Sequence, residues 1–76
     1  MTRVAITGAA GNLGNLLAQG MKDLGVDLNL LIHKKDVEKD LKDRSNVSVF
    51  KVDLAKKDTL IKALDNVDVI VHFAGV

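Results

Sequence analysis

No cysteine occurs in the 76 residues, which excludes disulfide bridges and thiolate metal sites and suits a reducing compartment. Aromatic residues are nearly missing as well: Phe50 and Phe73 are the only 2, so the core has to be aliphatic. Neither sign of charge dominates. The 11 Lys and Arg oppose 10 Asp and Glu for a formal net charge of +1, and from Lys34 to Arg44 the signs alternate, so no basic face is built for nucleic acid or an acidic membrane. No apolar run approaches the roughly 20 residues of a membrane span. The first apolar stretch is too short and too interrupted by glycine for a secretory signal. These absences make the cytoplasm the expected location. Neither His33 nor His72 has a second imidazole, a thiol or paired carboxylates at ligand spacing, so no metal site is expected.

Hydrophobic residues make up 47% of the chain and charged residues 28%, the balance of a packed globular unit. Its length is only about half that of a usual domain. The most informative stretch is Val4-Ala5-Ile6-Thr7-Gly8-Ala9-Ala10-Gly11-Asn12-Leu13-Gly14, where a short apolar strand runs directly into glycines at every third position. Gly8 can take a tight turn off the strand, Gly11 lets the backbone approach an anion, and Gly14 lets a following helix pack closely. Backbone N–H groups of this loop and the positive end of a helix opening near Asn12 would face that anion. The G-x-x-G-x-x-G spacing is a variant of the G-x-G-x-x-G fingerprint, and its specificity comes from context: a strand before it, an amphipathic pattern after it, then a second strand.

Along the chain, Arg3 to Thr7 reads as a strand buried on both faces. From Asn12 to about Leu24, Leu13, Leu16, Leu17, Met21 and Leu24 recur at helical spacing and predict one apolar face, stopped by Gly25. Asp27 to His33 reads as a second strand. Asp36 is the expected cap of a short helix in which Val37 meets Leu41 and Glu38 faces Lys42. Val47 to Val52 predicts a third strand, Lys57 to Leu64 a third helix burying Leu60, Ile61 and Leu64, and Val69 to Ala74 a fourth, buried strand. The alternation β-α-β-α-β-α-β with short connections predicts a parallel sheet with helices on both faces, in strand order 3-2-1-4, with the glycine loop at the switch point.

With these residues placed, the chain resembles the N-terminal half of the short-chain dehydrogenase/reductase superfamily, in its extended or atypical branch of NAD(P)-dependent epimerases, dehydratases and reductases. Thr7 to Gly14 is similar to that branch's TGxxGxxG cofactor loop. Val52-Asp53-Leu54 is similar to its Asp-hydrophobic pair, whose Asp accepts a hydrogen bond from the adenine amino group. Val71-His72-Phe73-Ala74-Gly75 is similar to the strand end that lies along the cofactor ribose. The resemblance implies a Rossmann-type, three-layer, doubly wound α/β sheet, of which residues 1–76 are the NAD(P)-binding N-terminal part. It implies cofactor contacts at Gly8, Ala10, Gly11, Asn12, Leu13, Gly14, Asp53, Leu54, Phe73, Ala74 and Gly75. Asp53 also has a structural alternative as a turn or helix-cap acceptor.

The family's general acid/base is the Tyr of a Tyr-x-x-x-Lys pair. This sequence has 0 Tyr, so no catalytic residue is assigned, and a small-molecule substrate is expected only of a longer parent oxidoreductase. The rival reading is a non-catalytic NAD(P)-binding redox sensor on the same fold. Cofactor preference is read at the end of the second strand, where an acidic residue accepts from the ribose 2′-OH of NAD and a basic one accommodates the 2′-phosphate of NADP. His33, Lys34 and Lys35 occupy it and favour NADP(H). Asp36, slightly further on, keeps NAD(H) open, and a solvated loop is the bland reading of the lysine pair. A sheet ending at the fourth strand presents Val69 to Phe73 as an apolar edge, for which self-association is expected.

Overall fold

The computed structural model describes residues 2–53 and 55–73; the expected contacts Leu54, Ala74 and Gly75 lie outside the described residues. The elements run β1 (Arg3–Thr7), α1 (Asn12–Met21), β2 (Asp27–Ile32), α2 (Lys39–Lys42), β3 (Val47–Lys51), α3 (Lys57–Ala63) and β4 (Val69–His72). The sheet is parallel throughout, in the order β3-β2-β1-β4. Val4 stands opposite both Leu28 and Val69.

Right-handed crossovers dictate which helix covers which face. The steps β1 to β2 and β2 to β3 go the same way across the sheet and leave α1 and α2 together, whereas the return from β3 to β4 puts α3 on the opposite face. Side-chain alternation divides the core accordingly. Val4, Ile6, Leu28, Leu30, Ile32 and Val47 pack with Ala18, Val37 and Leu41 on the α1/α2 side. Ala5, Leu31 and Val52 pack with Ala63, Phe50, Leu60 and Leu64 on the α3 side. Asn29, buried on that second face, accepts from Arg3 Nη1 at 2.9 Å and donates to the Ala63 carbonyl at 2.8 Å, so its amide group is satisfied.

Helix α1 differs from the sequence expectation in the face it buries. Gly14 and Ala18 are buried with Leu17 and Met21 packed beside them, while Leu13, Leu16 and Leu24 are 60%, 68% and 66% exposed. Small residues, not the leucines, set the contact, because a Cβ at position 14 would lie 2.2 Å from the Gly8 carbonyl oxygen. That approach fixes the helix rotation and turns Leu13 and Leu16 outward. The helix also stops at Met21, ahead of Gly25. The Lys22 carbonyl is taken up by Arg44 Nη2 at 3.1 Å and by Asn46 Nδ2 at 3.0 Å, a side-chain cap from the α2–β3 connection.

Strand β4 is less buried than its apolar sequence predicts. Val69 and Ile70 are 47% and 54% exposed. Among the described residues β4 pairs only with β1, and α3 packs over Ala5, Leu31 and Val52 instead of over β4. Val71 and Phe73 do reach the α1-side core.

Candidate functional site

All four parallel strands end at the same edge of the sheet, and the β1–α1 loop emerges there between β2 and β4. Gly8 leaves β1 with φ 64°, in the left-handed region that glycine occupies without strain. The Gly11 N–H donates to the Gly8 carbonyl at 3.0 Å and the Ala9 N–H to the Leu31 carbonyl at 3.3 Å, so these two donors are spent within the fold. Gly11 therefore contributes its missing side chain and not its N–H. It caps α1 in extended conformation, with no side-chain cap and no acidic residue in the first turn. The first-turn N–H groups of Asn12, Leu13 and Gly14 have no intrahelical acceptor, and the positive helix end opens to solvent at the exposed Asn12 and Leu13.

Three adjoining clefts surround this loop. One of about 420 Å³ is lined by Gly8, Gly11, Asn12, Leu13, Gly14 and Phe73. A second of about 250 Å³ is lined by Gly8, Ala10, Gly11, Ile32, His33, Lys34 and Lys35. A third of about 180 Å³ joins Ala10, Gly11, Asn12 and Asn15 to Lys35, Asp36, Val37 and Glu38. The structure thus gathers Gly8, Ala10, Gly11, Asn12, Leu13, Gly14, His33, Lys34, Lys35 and Phe73 around one loop. Asp53 lines none of these clefts. Its Oδ1 accepts from the Ala55 N–H at 2.9 Å, the turn role that the sequence left as its alternative.

Two features were not legible in the sequence. The first is the junction of β1 and β4: Thr7 Oγ1 accepts from the Phe73 N–H at 3.0 Å and shares a hydrogen bond of 2.7 Å with His72 Nδ1. It fastens the point where β1 enters the glycine loop to the strand that supplies Phe73. The second is the environment of Asp36. Its Oδ1 accepts from the Val37 N–H at 2.8 Å, and its Oδ2 accepts from Lys42 Nζ at 2.5 Å. The Lys42 hydrogen bond, aided by the Val37 N–H, holds the Asp36 carboxyl below the ordinary carboxylate range. Asp36 thus does not cap α2, whose N-cap is Glu38. The expected Glu38–Lys42 pair is replaced by Asp36–Lys42.

Among the described residues no group of three or more His, Asp or Glu could hold a metal ion, and no helix is long and apolar enough to cross a membrane. The site suits a different ligand, one with an anionic group such as a dinucleotide's pyrophosphate at the helix end: an open cleft over Gly8 and Gly11, first-turn N–H groups without intrahelical acceptors, and no carboxylate in that turn.

Comparison with known proteins points the same way. Residues 4–76 match the NAD dependent epimerase/dehydratase family. Vestitone reductase from alfalfa (Medicago sativa L.) is similar in structure, with a TM-score of 0.78 and 25% identity over 95% of this chain and 24% of that one. The protein gox2253 is similar with a TM-score of 0.76 and 28% identity over 100% of this chain and 23% of that one. The chain spans about a quarter of the length of these structures. No curated protein gave a match.

Proposed function

We propose, from the premise that this chain belongs to the NAD dependent epimerase/dehydratase family, that it holds the adenosine and pyrophosphate half of NADP(H) in preference to NAD(H), in the cytoplasm. The family implies a nicotinamide dinucleotide; the preference is read from this chain's own residues. The observation that carries it is the single cleft in which the glycine loop meets His33, Lys34 and Lys35. Two ammonium groups beside the ribose site favour a 2′-phosphate over a 2′-OH. Asp36, the nearby acid that would favour NAD(H), has both carboxylate oxygens engaged by Val37 and Lys42.

In this reading the open donors of Asn12, Leu13 and Gly14 bind the pyrophosphate, and the Thr7–His72–Phe73 junction orients the loop against β4. The cofactor supplies hydride transfer between nicotinamide C4 and a carbonyl or alcohol carbon of a small-molecule substrate in a whole enzyme. None of the 76 residues is a Tyr, and the residues here bind and orient without moving the substrate's proton. Fluorescence titration with NADPH and NADH, repeated with Lys34→Ala and Lys35→Ala, tests the preference. Loss of NADPH affinity alone supports it, and equal loss for both cofactors sinks the 2′-phosphate assignment.

A further inference from the structure

The Asp36–Lys42 pair lies where two opposite cofactor chemistries compete. Asp36 and Lys35 are consecutive in sequence, and both line the cleft against Ala10 and Gly11; Lys35 also lines the neighbouring cleft with His33 and Lys34. A free carboxylate at this strand end accepts a hydrogen bond from a ribose 2′-OH and repels a 2′-phosphate. This carboxylate is not free, because Lys42 Nζ, from α2, sits 2.5 Å from Oδ2 while the Val37 N–H holds Oδ1.

We infer that Lys42 is a specificity-determining positioning residue: by pairing with Asp36 it cancels the one charge at this strand end that would select NAD(H), leaving Lys34 and Lys35 to select NADP(H). Lys42 acts through Asp36 and need not touch the cofactor. The inference rests on the NADP(H) reading above but makes its own demand, namely that the effect of Lys42 vanishes when Asp36 carries no charge. Side-chain exposures of 43% for Lys42 and 49% for Asp36 put the pair in water-rich surroundings. There a released charge on the cleft wall changes binding by about three- to tenfold, not by orders of magnitude. Glu38, the other carboxylate on this cleft, has no ion-pair partner among the described residues, so its neutralisation leaves the Asp36–Lys42 coupling in place.

The test is a double-mutant cycle on the ratio of NADH to NADPH dissociation constants, read by nicotinamide fluorescence, with thermal melts to verify folding. Lys42→Met is expected to lower the ratio about three- to tenfold by weakening NADPH and strengthening NADH. Lys42→Arg should keep it near wild type, and Lys42→Met added to Asp36→Asn should leave it unchanged. Glu38→Gln serves as the control that does not alter the response to Lys42→Met. A ratio that Lys42→Met does not move, or moves equally with and without Asp36→Asn, overturns this inference; the second result would make Lys42 a direct phosphate contact. A wild-type ratio of one or less overturns the NADP(H) reading itself, which separates the two failures.

Discussion

His72 Nδ1 lies 2.7 Å from Thr7 Oγ1 across the β1–β4 pair, one residue before the Gly8 turn. Both residues end their strands, so the bond fixes the separation of the two strand ends between which the glycine loop rises. The Phe73 N–H adds a second contact to the same hydroxyl. A strand end held this way lets the loop keep one conformation before any ligand arrives, which lowers the ordering cost of binding.

Thr7→Val is therefore expected to cost about 1–3 kcal/mol of stability, because it keeps the side-chain shape at a buried position but leaves the Phe73 N–H and His72 without their oxygen. Thr7→Ser should recover most of the loss. Urea unfolding of both variants checks this, and a Thr7→Val protein as stable as wild type would refute the role given to the junction.

Two glycines of α1 should respond in opposite directions. Gly14→Ala places a Cβ 2.2 Å from the Gly8 carbonyl oxygen, and relief requires the helix or loop to shift, at about 1–3 kcal/mol or more and with loss of dinucleotide binding. At Gly20 a Cβ would meet nothing within 4 Å, so Gly20→Ala should stabilise by about 0.5–1 kcal/mol through helix propensity. Thermal melts of the pair decide it.

The ionisation of Asp36 links the site to pH. Its folded-state pKa lies below its ordinary value of 3.8, so its contribution to stability is fully present above 3.8 and is lost as pH falls through the depressed value. At neutral pH the Asp36–Lys42 pair is therefore intact. Carboxyl-carbon NMR titration should find the Asp36 midpoint below 3.8, and Lys42→Met should raise it. A midpoint unmoved by that substitution would contradict the cause assigned to the shift.

Strand β4 makes a prediction about association. Val69 and Ile70 are about half exposed, and β4 has β1 as its sole strand partner among the described residues. Where no further strand of a longer chain covers it, an apolar edge recruits another strand, and for the 76 residues taken by themselves a second copy pairing β4 to β4 about a two-fold axis would cover both edges at once. Light scattering of these 76 residues alone should find a dimer that Ile70→Lys converts to a monomer of 8.2 kDa. A wild-type chain that stays monomeric at high concentration would reject the edge pairing.

Much of this architecture could be read directly from the residues. Uninterrupted apolar runs such as Val4-Ala5-Ile6 mark strands covered on both faces, and Thr7 to Gly14 marks both the turn and the close helix contact, because backbone constraints act locally. What escaped was decided by contacts that the folded chain chooses among several its spacing allows. The leucines of α1 suggest a buried stripe, yet Gly14 and Ala18 take it, since the Gly8 carbonyl admits no side chain. Asp36 has the composition of a helix cap, yet Lys42 six residues on claims it. No spacing rule foretold Thr7 with His72, 65 residues apart in sequence, because that pairing exists only once β4 has joined β1.

In the proposed binding mode the glycine loop and the start of α1 hold the cofactor's pyrophosphate. Amide chemical-shift mapping with NADPH, using a 15N-labelled chain, tests it most directly. The largest shifts are expected at Asn12, Leu13 and Gly14, with a second group at His33, Lys34 and Lys35 and little change at the Gly11 N–H, which stays bonded to Gly8. Shifts confined to other surfaces, or an α1 N-terminus unmoved at saturating NADPH, would contradict it.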